Sequence, residues 1–84
     1  MITITNKFIW MIGQATSKDQ LRDISYRAFL HPALSRKNDN LITALCVYRE
    51  NYLAGKDDKE LKECKRALKL TQKQIDMITT TKGV

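Results

Sequence analysis

Cys46, Cys64 and the single histidine, His31, are the residues of this 84-residue chain best suited to nucleophilic or metal chemistry. A zinc site needs about four ligands, commonly with two of them closely paired in sequence. These three are widely spaced, so no metal site is expected. A cysteine nucleophile must be an exposed, low-pKa thiolate beside an oriented base. Both cysteines instead fall on apolar helical stripes, where a free thiol behaves as a small core side chain. His31 precedes Pro32 and reads as a loop or helix-end residue. The three glycines are isolated, which leaves no phosphate-cradling loop. The paired acids Asp57 and Asp58 are accounted for by a helix start. No catalytic residue, metal, cofactor or small-molecule substrate is expected, and the chain reads as a non-enzyme.

Charge is the next chemical resource. Fifteen Lys and Arg against nine Asp and Glu give a net charge of +6, which biases encounters toward anionic partners. Lys62, Lys65, Arg66, Lys69 and Lys73 fall at i, i+3, i+4, i+7 and i+11 and would share one face of a continuous last helix. Glu60, Glu63 and Asp76 lie largely off that line. Such a stripe can follow a phosphate backbone by releasing counterions. A second basic neighbourhood holds Arg22, Arg27, His31, Arg36 and Lys37, interleaved with Tyr26 and Phe29. Cations and rings together suit single-stranded nucleic acid. Both features also have a plainer reading, because exposed helix faces carry lysines and these aromatic residues fit a core.

The elements that must position these groups are helical. Three glycines and one proline supply too little turn chemistry for an all-β chain. With 43% hydrophobic and 29% charged residues the composition is that of a globular protein. Eighty-four residues make one domain, 1–84, with a small core. Residues 1–5 alternate Ile with Thr and read as an extended arm. Thr5 or Asn6 is expected to cap a short first helix carrying Phe8, Met11, Ile12 and Ala15 on one stripe, with Trp10 off it. Ser17 and Gln20 fit a capping box opening a second helix. Its face is Leu21, Ile24, Ser25 and Ala28, extended by Phe29 and Leu30, and Pro32 ends it. The polar stretch from His31 to Asn40 reads as a loop.

Asp39 or Asn40 is expected to cap a third helix, stopped by Gly55. Leu41, Leu45, Tyr48 and Tyr52 form its main stripe, flanked by Ile42, Cys46 and Leu53, so it is the expected centre of the domain. A fourth helix opens at Asp57 or Asp58 and keeps a seam of Leu61, Cys64, Leu68, Thr71, Ile75 and Ile78. Residues 79–84 read as a frayed tail. The last two helices are expected to form an antiparallel hairpin, which would bring Cys46 and Cys64, each nine residues from Gly55, to about the same level. The expected architecture is all-α, with three main helices and a short N-terminal one.

The apolar run from Phe8 to Ile12 is too short to span a bilayer or serve as a signal peptide. A cytoplasmic location with reduced thiols is therefore expected, without a membrane partner. The segment of about nine residues before the third helix is too long for a helix-turn-helix connection. The third helix is also too apolar to read base edges. What remains is a small regulatory or accessory binding module. Its first expected partner is a protein or a second copy of the chain, met through Trp10, since tryptophan is enriched among interface anchors. The alternative is nonspecific nucleic-acid binding through Lys62, Lys65, Arg66, Lys69 and Lys73, with Arg36 and Lys37 in support.

Overall fold

A short polar side chain caps the start of each helix in the computed structural model, which describes residues 3–79. Thr3 precedes α1 (Ile4–Gln14), and its hydroxyl accepts the Asn6 N–H at 3.1 Å. Ser17 precedes α2 (Lys18–Leu30) and accepts from Gln20 at 3.2 Å. Ser35 does the same for α3 (Arg36–Leu53) through Asn38, and Asp57 for α4 (Asp58–Leu68) through Glu60. Thr71 accepts from Gln74 at 3.1 Å to open α5 (Gln72–Thr79). Each bond satisfies one backbone donor that the first turn leaves unpaired, worth about 1 kcal/mol.

Three boundaries differ from those expected. Ile4 and Thr5 belong to α1, so the expected arm is helical from Ile4 on, and Met1 and Ile2 lie outside the described residues. The cap is Thr3, one turn earlier than Thr5 or Asn6. α3 opens after Ser35 rather than at Asp39 or Asn40, which shortens the connection from α2 to His31–Ser35. At five residues it is still longer than the three or four of a helix-turn-helix turn, so the length objection is smaller than expected. The second objection stands, because Ile42, Leu45, Cys46 and Tyr48 bury α3 in the core. At the other end of the chain, Thr79 closes α5 and is not part of a tail, while residues 80–84 lie outside the described ones.

The largest revision concerns the expected fourth helix, which is two. α4 ends in a Schellman motif, with the Leu70 N–H donated to the Lys65 carbonyl and the Lys69 N–H to that of Arg66. Lys69 takes the left-handed conformation there, at φ 58°. Leu70 is buried beyond it, and Thr71 and Gln74 close a reciprocal capping box, with the Gln74 side chain accepting the Thr71 N–H at 2.9 Å. The same motif ends α3, with Gly55 at φ 81° in the left-handed position glycine adopts without steric cost. The described residues therefore form five helices where four were expected.

α3 touches each of the other four helices, and so takes the central place expected of it. Ile42 and Leu45 on α3 meet Ile12, Leu21 and Ile78 in a core where all five side chains are fully enclosed. Enclosing each contributes about 1.5–3 kcal/mol. Arg49 ties the helix ends to this centre. Its Nε and Nη2 donate to the Ala15 carbonyl at 3.3 and 2.9 Å, and its Nη1 donates to the Ile78 carbonyl at 3.0 Å. The guanidinium thus neutralises the negative ends of α1 and α5 together. α4 is the outlying element: its backbone approaches α3 alone, Lys65 reaches Gln72 on α5 at 3.1 Å, and it buries no residue fully. Among the described residues no helix is long and apolar enough to cross a membrane.

Candidate interaction surfaces

The residues with nucleophilic potential are held away from chemistry. Cys46 faces the groove between α2 and α3, where burial, reinforced by the nearby Glu50 charge, pushes its thiol from 9.0 up to about 12. Burial also raises Cys64, whose Sγ accepts from the Asn51 amide at 3.8 Å. The two thiols therefore meet different partners, and neither is a thiolate near neutral pH. Cys64 meets a residue four positions before Gly55 rather than nine, so the two helices are not in symmetric register about that turn. His31 closes α2, its Nδ1 accepts the Ala33 N–H at 3.1 Å, and its ring stands edge-on to Phe8 at 5.9 Å. Among the described residues no group of three or more His, Cys, Asp or Glu could hold a metal ion.

An apolar surface flanks α2. Trp10 is 61% exposed, Tyr26 63%, Phe29 71% and Leu30 57%. Phe29 and Leu30 were expected to extend the buried face, but Leu21, Ile24 and Ala28 fill it. Phe29 and Leu30 come one and two residues after Ala28, which turns them about 100° and 200° around the helix from it. Tyr26, Phe29 and Val47 line an open groove of about 410 Å3 between α2 and α3, floored by Leu21 and Cys46. Arg22 and Glu50 also line it. Trp10 lies across α2, in a second groove with Met11, Gln20, Asp23 and Ile24. The expectation that Trp10 stands off its helix's buried stripe holds. Leu30 was missed as a surface residue, and Tyr26 and Phe29, which the sequence allowed either as surface rings or as core, lie on the surface.

The basic stripe becomes a groove. Lys62, Lys65, Arg66 and Lys69 line an open depression of about 570 Å3, together with Leu61, Leu70 and Gln72 and with Tyr48 from α3. Asp58 is the one carboxylate among the lining residues. Lys73 leaves the set, because the break at Lys69 places it on α5 and it does not line the groove. Arg36 and Lys37 open α3, eleven residues before Tyr48, which is about 17 Å along the helix. They do not join the groove. The second basic neighbourhood is also dispersed, since Arg27 pairs with Asp23 at 2.9 Å and His31 packs on Phe8.

No family model matches this chain, and no curated protein or solved structure matches it at a significant level.

Proposed function

We propose that the chain is a non-enzymatic binding module, regulatory or accessory, that works by docking a protein partner on apolar side chains exposed on the two sides of α2. The observation that carries this reading is the exposure of Trp10, Tyr26, Phe29 and Leu30 in a domain whose core is otherwise closed. Large apolar side chains grouped at the surface of a small protein mark interaction sites. Aromatic anchors dominate the energy of such interfaces. The groove between α2 and α3 has the form that receives an apolar helix face from a partner, with Phe29 and Tyr26 as one wall. Arg22 and Glu50 at the same groove offer an ion pair of either sense, which suits a partner with mixed charges or a second copy of the chain. In this reading α3 forms the other wall of the groove, α4 packs on α3 away from α2, and the protein works in the cytoplasm with both thiols reduced.

The test separates docking from folding. Trp10→Ala and Phe29→Ser should each leave the free energy of unfolding within about 0.5 kcal/mol of the parent, as for other surface changes. Both should weaken the partner complex. A variant that unfolds would place its residue in the core and remove it from the interface.

A further inference from the structure

We propose that the groove between α4 and the start of α5 binds the sugar-phosphate backbone of a nucleic acid, without reading its sequence, through Lys62, Lys65, Arg66 and Lys69. This surface is separate from the apolar side chains on the two sides of α2, and its residues are distinct from those of that reading.

Three observations support it. First, the four cations line one depression and are not spread around the helix. Three of the other cations are matched with acids: Lys18 pairs with Glu50, Arg27 with Asp23, and Lys56 with Glu60. No ion pair joins Lys62, Lys65, Arg66 or Lys69 to an acid among the described residues, although Lys65 donates to Gln72 at 3.1 Å. Lys65, Arg66 and the C-cap residue Lys69 also complement the negative end of α4, but that account does not extend to Lys62, a turn earlier.

Second, Lys69 occupies a left-handed position that glycine or asparagine fills at lower cost. A lysine there keeps a long cation at the rim of the groove in spite of the backbone. Third, the backbone of α4 comes close to that of α3 alone and α4 buries no residue fully, so its outer side is open to a ligand as large as a nucleic-acid strand.

The groove also defines the mode of recognition. Its one aromatic residue, Tyr48, is 7% exposed and offers no face for a base to stack on. Contacts are therefore to phosphates, which carry no sequence information. Single and double strands should both bind, with the duplex favoured by its higher charge density.

The test is fluorescence anisotropy of the full chain with labelled duplexes and single strands of unrelated sequences, at low and raised salt. Three proteins are compared: the parent, the groove variant Arg66→Gln/Lys69→Asn, and the charge-matched control Arg36→Gln/Lys37→Gln. Asn at 69 keeps the left-handed preference, and circular dichroism checks that the helices persist. The parent should bind every duplex with similar affinity and lose it as salt rises. The groove variant should bind about tenfold more weakly at low salt, with its salt slope reduced by about two, while the control keeps most of its affinity. Absence of binding by the parent at low salt would overturn the proposal. Equal losses in the two variants would also overturn it, since net charge and not the groove would then be responsible.

Discussion

Each thiol and the Tyr48 hydroxyl are more stable protonated in the folded chain than in the unfolded one. Cys46 rises from 9.0 to about 12 through burial and the Glu50 charge, and Cys64 and Tyr48 shift the same way, chiefly through burial. A raised acid holds its proton longer in the folded state, so the unfolded state binds fewer protons above about pH 9. Its contribution to stability is complete below that pH and is lost as pH climbs toward the folded value. Urea unfolding followed across pH should therefore give a stability falling from about pH 9 upward, and Cys46→Ala should flatten that fall. At the same scale, Lys69→Gly should leave stability unchanged or raise it by up to about 1 kcal/mol, because it relieves a left-handed lysine. A loss on the same unfolding measurement would show that the lysine side chain holds the α4–α5 joint together. Lys69 was unreadable as a helix end, since the left-handed preference belongs to glycine and asparagine. The thiols were readable, since their apolar stripes already placed them near the core.

Among the elements, start signals were legible where a serine or acid stood alone before a periodic stretch, as at Ser17 and Asp57. Gln20 departs from the expected box, since its Oε1 accepts from the Thr16 N–H at 2.6 Å instead of from Ser17. Thr71–Gln74 is the same signal, hidden because Thr71 also fits the hydrophobic spacing running from Leu61 to Ile78. Ser35 was masked in a similar way by the polar run that follows it, whose residues belong to the exposed first turns of α3. Gly55 was legible as a stop because a left-handed residue there needs no side chain. Thr71→Ala should cost about 1 kcal/mol on chemical denaturation by removing the cap of α5. Arg49 was invisible as a clamp, because its partners Ala15 and Ile78 are 34 and 29 residues away. Arg49→Ala should cost about 2–4 kcal/mol by stripping charged hydrogen bonds from two helix ends. Arg49→Lys should not restore it, because an ammonium cannot span both carbonyls as the planar fork does.

At the scale of the whole molecule, the all-helical fold and the central place of α3 followed from composition and periodicity. The division of its surface did not. Periodicity marks which face of a helix is buried only when one face is plainly richer in apolar residues. On α2 the side chains at 28, 29 and 30 are all apolar and point in three directions, of which the core takes one. Tyr26, Phe29 and Leu30 were left outside by that choice, and with Trp10 across α2 they are the side chains proposed to meet a protein partner. The most direct measurement of that proposal is site-specific photo-crosslinking in the native cell, with the reactive group placed at position 10, 29 or 40. Asn40 is exposed on α3 and does not line the apolar groove. The expected result is a discrete protein adduct from positions 10 and 29 and none from 40, its mass distinguishing a second copy from another protein. No adduct at 10 or 29, or the same adducts from all three positions, would contradict the assignment of these side chains as the docking surface.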